Sequence, residues 1–297
     1  MRPLLIIYLL FMALTSHAQD WNRRWICFQQ ADPTSQVWFQ RTYTLRQRPQ
    51  EAFVEIASSG RFCLYINDYN VTTSLLEPLI ERQGDTIGVV RYDVTAFLQQ
   101  GENVLKVWFS PMRDDQRQLS LQLYGHMGGM PFSWSTDESW FCCNAMCNTL
   151  ANGDEWIDGR YHILKEQPLI GWNPASLAEC RQSVLELVQP CETTVRNSLI
   201  TNYHIVECDS LDSTRIVFRG GVEGHGILRV TLRDMHRGDT IRVNGLRYIC
   251  RGETDEQAFR RFTTEDISSA VIVGPAWFRS ENVTSVEAIR ISSVFLP

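Results

Sequence analysis

Asn67, Asp68 and Asn70 crowd one predicted hairpin turn in the stretch GRFCLYINDYNV and offer several oxygen acceptors at once. The same residues suit a tight turn, because Asn and Asp tolerate left-handed backbone. Further on, Glu155, Asp158 and Arg160 stand in EWIDGR. Their carboxylates are hard oxygen ligands of the kind that hold calcium or a sugar hydroxyl. The competing reading fastens Arg160 to one of the two acids and fixes a turn. Trp108, Trp134, Trp140 and Trp156 have faces on which a sugar ring can stack, although Trp on alternating strand positions normally packs inward. Trp134 and Trp156 fall in predicted turns and are the candidates for exposure.

Other groupings point to less. Cys142-Cys143-x-x-x-Cys147 lacks paired CxxC spacing and a nearby His, so it does not spell a zinc site. His162, His204, His225 and His236 are scattered, with no i,i+4 pair. Gly220-Gly221-x-x-Gly224 precedes no predicted helix, which argues against a phosphate loop. Nine cysteines leave at least one thiol unpaired, and Cys180 with Cys191 is a candidate disulfide. Asn70-Val71-Thr72 and Asn282-Val283-Thr284 are glycosylation sequons, relevant in a eukaryotic host.

The elements that must position these residues are predicted to be strands. Val37–Leu45, Ala52–Ser58, Arg61–Ile66, Val89–Val94, Asn103–Phe109 and Leu119–Tyr124 alternate with period two and are rich in β-branched and aromatic residues. Gly, Asn, Asp or Pro interrupts them at intervals that suit an antiparallel sandwich. In RYDVTAFLQQGENVLKVWF, Asp93 is placed to cap one turn through Leu98 before the next strand begins. After Pro190 a second β-rich region follows, with strands over Leu199–Cys208, Thr214–Arg219, Gly226–Arg233, Asp239–Val243, Leu246–Arg251, Ala270–Val273 and Val286–Ile291. Pro174–Val188 is the best helical candidate, and the domain boundary is placed near residue 175.

Residues 1–18 carry one Arg, an apolar run from Leu4 to Leu14 and the small-x-small end Ser16-His17-Ala18. That pattern is a secretory signal peptide, cleaved after Ala18. Its apolar run is shorter than the roughly 20 residues a membrane span needs, and no later run qualifies. The protein is therefore expected in the periplasm or outside the cell. Losing Arg2 and no acid takes the net charge from −6 to −7. Mild acidity without a basic stripe speaks against nucleic acid as a partner.

The order of motifs resembles the non-catalytic N-terminal half of bacterial α-L-rhamnosidases. Trp25-Ile26 and WFQRTYTL (Trp38–Leu45) come first, then GRFCLYINDYNV, Leu76-Glu77-Pro78 and DVT…GEN, followed by TDESW (Thr136–Trp140) and EWIDGR. VFRGGVEGHGILRVTLRDMHRGDTIRV (Val217–Val243), FRRFT (Phe259–Thr263) and VTSVEAIRI extend the resemblance into the second half. Two positions depart from the family pattern. Asn67-Asp68 stands where the family has Asn-Gly, and Ser110-Pro111-Met112 replaces a Gly-Trp-Tyr. The family's helical barrel, which carries the catalytic carboxylates, would begin where this sequence stops at Pro297.

The resemblance implies an all-β chain of two antiparallel sandwiches of galactose-binding-like, jelly-roll type with few short helices, spanning residues 19–175 and 176–297. It also implies a rhamnose-containing glycan as ligand, contacted through Asn67, Asp68, Asn70, Trp134 and Trp156, with calcium as the one cofactor to test. No hydrolysis is expected from the chain alone. The alternatives are work beside a separate catalytic subunit, or a structural interaction module that has lost sugar binding. Sugar cleavage usually needs two carboxyl groups about 5 to 9.5 Å apart. The acid-rich spots Asp114-Asp115, Asp137-Glu138, Asp154-Glu155, Glu253-Asp255-Glu256 and Glu265-Asp266 all fall in predicted turns, where solvation is the ordinary role of a carboxylate.

Overall fold

The computed structural model describes residues 23–72, 74–78, 86–112, 117–161, 171–180, 183–188, 195–200, 203–208, 214–220 and 223–293. The signal segment and Cys191 lie outside them. Strands run in order as β1 (Trp25–Cys27), β2 (Ser35–Leu45), β3 (Glu51–Ser58), β4 (Arg61–Ile66), β5 (Tyr69–Asn70), β6 (Thr86–Asp93), β7 (Gly101–Ser110) and β8 (Gln118–Met127). Next come β9 (Met130–Ser135), β10 (Phe141–Thr149), β11 (Glu155–Asp158), β12 (Asn173–Pro174), β13 (Ser176–Ala178), β14 (Ser183–Val188), β15 (Val195–Ile200) and β16 (His204–Cys208). The last are β17 (Arg215–Arg219), β18 (His225–Arg233), β19 (Thr240–Val243), β20 (Leu246–Ile249), β21 (Asp255–Phe259), β22 (Glu265–Asp266), β23 (Ser269–Val273) and β24 (Val283–Ser293). Helical structure among the described residues is limited to the single 3₁₀ turns Thr95–Phe97 and Ser280–Asn282. None of it is long and apolar enough to cross a membrane.

Three sheets hold these strands. A seven-stranded sheet is ordered β13-β1-β8-β3-β6-β14, with β9 also on β8. A five-stranded sheet is ordered β15-β24-β18-β21, with β22 on β18. Between them runs a twelve-stranded sheet, β16-β17-β23-β19-β20-β11-β10-β2-β7-β4-β5, with β12 on β10. Its β10 to β5 end faces the seven-stranded sheet across a core that includes Ile26, Phe39, Val54, Ile56, Phe62, Leu64, Val107, Phe109 and Leu121. Its β16 to β20 end faces the five-stranded sheet across Ile216, Leu228, Val230, Ile241, Ile272 and Ala288. The chain is thus all-β, in two sandwiches that share one sheet. The seam is the parallel pairing of β11 with β20, in the register Glu155↔Leu246 to Asp158↔Ile249.

The second core continues beneath the first sandwich. Trp38, Tyr65, Trp108, Ala145, Cys147 and Ile157 project from β2, β4, β7, β10 and β11 onto its residues. Trp38 stacks on Trp108 at 5.2 Å, and Trp108 meets Phe262 edge-on at 5.3 Å. The strands β2, β4 and β7 are therefore covered on both faces. This is why VWF recurs in β2 and β7 where a half-solvated strand would alternate with polar residues.

Most predicted strands stand within a few residues of their observed ends. Asp93 accepts from the Thr95 N–H at 3.0 Å and its hydroxyl at 2.6 Å, but it stands one residue before the N-cap position, which is Val94 and has no capping side chain. Four further expectations need correcting. Pro174–Val188 is no helix, because β13 pairs with β1 and β14 with β6. Those pairings carry the first sandwich to Val188, past the boundary placed at residue 175. Leu199–Cys208 is divided between two sheets, as the end of β15 and the whole of β16. Lastly, Trp134 and Trp156 are strand residues: Gly128 and Gly129, both at positive φ, turn β8 into β9, and β11 begins at Glu155.

Candidate functional site

The Asn67 hairpin is built as a strut. Asn67 and Asp68 hold left-handed backbone at φ 50° and 66°. The Asn67 amide nitrogen donates to the Phe97 carbonyl and to Asn103 Oδ1, both at 2.9 Å, while its oxygen accepts from the Val104 N–H at 3.0 Å. Asp68 pairs with Lys106 Nζ at 3.0 Å. Asn70 Oδ1 accepts from the Thr72 N–H at 3.0 Å. The three side chains diverge to separate internal partners instead of converging on one point outside the turn.

Glu155 and Asp158 do not share a cation site either. Three residues apart on a strand, they face opposite sides of the sheet. Glu155 is 1% exposed, and its oxygens accept from the backbone N–H groups of Arg261 (2.9 Å), Phe262 (2.8 Å) and Thr263 (2.7 Å) and from the Thr263 hydroxyl (2.8 Å). Asp158 takes a two-pronged bond from Arg160, at 2.9 and 2.6 Å, and a third from the Arg160 N–H. Among the described residues no three His, Cys, Asp or Glu side chains are grouped to hold a metal. Glu155 is a clasp between the sandwiches, a role visible only once β11 is known to lie beside the 261–263 turn.

Trp108 and Trp140 are buried in the cores. Trp134 is half-buried and stacked on Tyr43 at 5.1 Å, with Phe132 tilted against it at 4.8 Å. Trp156 is placed differently. It lines a cleft of about 370 Å³ at the seam, with Asn148 and Leu150 on one side and Asn244, Arg242 and Arg247 on the other. The Arg247 guanidinium lies 5.7 Å from the Trp156 ring centre. Asp154, also at the cleft, reaches Arg260 at 3.3 Å, and Gly245 passes so close that a Cβ there would stand 1.8 Å from Asp154 Oδ1. Sequence reasoning found Trp156 and missed the arginines, although VNGL, a two-residue Asn-Gly turn between strands, sets Arg242 opposite Arg247.

The thiols are unsuited to nucleophilic work. Burial pushes those of Cys63, Cys142, Cys143 and Cys147 up to about 12, far from thiolate at neutral pH. A second depression, of about 650 Å³, lies on the outer face of the seven-stranded sheet. There Arg91 covers Phe53 at 4.1 Å, and Glu55 is held by Arg23 at 2.6 Å and by the Tyr124 hydroxyl at 2.7 Å.

Residues 47–129 match the family model described as the alpha-L-rhamnosidase N-terminal domain. No curated protein matches the chain. Among solved structures it is similar to the α-L-rhamnosidase of Dictyoglumus thermophilum, with TM-score 0.77 and 19% identity over 93% of this chain and 36% of that one. The Aspergillus terreus enzyme gives 0.75 and 18% identity, over 92% and 36%. The Streptomyces avermitilis enzyme, solved with L-rhamnose, gives 0.73 and 17% identity, over 88% and 29%. The chain spans about a third of the length of these enzymes, and the described residues include no helical barrel. Over residues 47–129 it matches the rhamnosidase N-terminal domain, and over most of its length its fold is similar to the N-terminal, non-catalytic region of the α-L-rhamnosidases.

Proposed function

We propose that this is an exported accessory protein that binds glycans weakly and does not cleave them, with rhamnose-containing chains as the first ligand to try. The observation that carries the reading is the seam cleft, where half-buried Trp156 forms one wall beside charged and amide side chains. An aromatic wall with a few polar groups is the usual composition of a small-ligand site. The domain match over residues 47–129 and the likeness to rhamnosidase structures favour a carbohydrate over other ligands of that size. Export rests on the charge, apolar run and small-residue end of residues 1–18.

Calorimetric titration with L-rhamnose and rhamnose-containing oligosaccharides, with calcium and then with chelator, tests the reading. Binding is expected to survive the chelator, since neither Glu155 nor Asp158 has a free pair of oxygens facing a common point. Trp156→Ala should weaken it about tenfold, roughly 1.4 kcal/mol. Silence toward every saccharide at millimolar concentration would overturn the reading and turn the search to a protein partner.

A further inference from the structure

The register across the seam assembles a row of side chains on one face of the shared sheet. Asn148 of β10 stands opposite Trp156 of β11, Trp156 opposite Arg247 of β20, and Arg247 opposite Arg242 of β19. Opposed residues share a sheet face, and neighbouring strands lie about 4.8 Å apart, so Trp156 to Arg242 spans about 10 Å. Both arginines are exposed. Among the described residues neither guanidinium has a hydrogen bond or an ion pair, and Arg247 only rests against Trp156.

Like charges set directly opposite one another destabilise a sheet. The nearby carboxylates do not relieve this pair: Asp154 is occupied by Arg260 and by the Asn152 amide, and Glu155 is turned into the 261–263 backbone. What remains open in the cleft is two guanidinium forks beside an indole. Such forks match a planar group with two anionic oxygens. We propose that the cleft takes a saccharide bearing a carboxylate, a uronic acid residue, with its carboxylate between Arg242 and Arg247 and its ring at the Trp156 end of the row. This rests on the glycan-binding reading of the same cleft and narrows its ligand class.

The test titrates the full chain with D-galacturonate oligomers, with the matching neutral D-galactose oligomers and with sodium acetate. The acidic oligomers are expected to bind about tenfold tighter than the neutral ones, and the gap should close in about 0.5 M NaCl. R242Q/R247Q should abolish the gap while leaving the melting temperature equal or higher, since opposed charges are removed. R91Q, on the far sheet, should change nothing. Equal affinity for acidic and neutral oligomers would overturn the carboxylate assignment and leave the glycan reading standing. Acetate binding as tightly as the oligomers would overturn the saccharide assignment. No binding by any saccharide would overturn both. The ligand comparison on the unsubstituted protein decides the matter even where a variant folds poorly.

Discussion

Glu155 shows how much one buried carboxylate can organise. Its two oxygens satisfy three consecutive backbone N–H groups and a hydroxyl, all from a turn of the other sandwich. Removing the acceptor leaves those donors buried and unpaired, at about 1–3 kcal/mol for each. Glu155→Ala is therefore expected to lose roughly 4 kcal/mol or more in urea unfolding, and Glu155→Gln, which keeps one oxygen, less. A loss under about 1 kcal/mol for the alanine variant would mean the turn finds other acceptors. The sequence displays this residue and its neighbour Arg160 plainly. It does not display the destination of the carboxylate, because the partner turn is brought in by a strand pairing made outside both segments. The Asp158–Arg160 fastening, by contrast, spans two residues and was open to local reasoning.

At the scale of elements, the hairpin between β4 and β5 depends on Asn67 in two ways. The residue occupies left-handed backbone, and its amide ties the turn to Phe97, Asn103 and Val104. Asn67→Ala should cost about 2–3 kcal/mol by chemical denaturation. Asp68→Asn, which removes the half-exposed member of the pair with buried Lys106, should cost less, about 1 kcal/mol. Equal losses for the two would contradict the strut. Strand positions were legible because period-two patterning and turn residues are local signals. Pairing was not: β14 joins β6 and β11 joins β20 in parallel, and neither has a turn to announce it. The clue that did exist was the unbroken apolar run in β2, β4 and β7, where Trp38, Cys63, Tyr65 and Trp108 occupy positions that a solvated face would give to polar residues.

On the scale of the whole molecule, the seam carries a buried charge cluster with a pH dependence. Arg260, 4% exposed, lies 3.3 Å from both Asp154 and Glu265. Burial pushes Glu265 up from its ordinary 4.5 to about 7, against the pull of Arg260. The folded state then holds a proton that the unfolded state has released. The stability this contributes is fully present below about pH 4.5 and is lost as pH rises to about 7, roughly 3 kcal/mol in all. Urea midpoints measured from pH 4.5 to 7.5 should fall more steeply for the natural protein than for Glu265→Gln, and parallel curves would rule the effect out.

The shared sheet also has a mechanical meaning. A joint between domains usually bends at its linker, but here one sheet continues across the joint, where β11 and β20 lie side by side in the same direction. A load pulling the two sandwiches apart along those strands acts in shear, so the backbone bonds of the seam must all give way together and cannot unzip in sequence. Among the described residues the backbone ladder passes from one sandwich to the other without a break in the sheet. Anything held in the cleft astride that seam touches both sandwiches at once, and so bears on the very strands that such a load would shear.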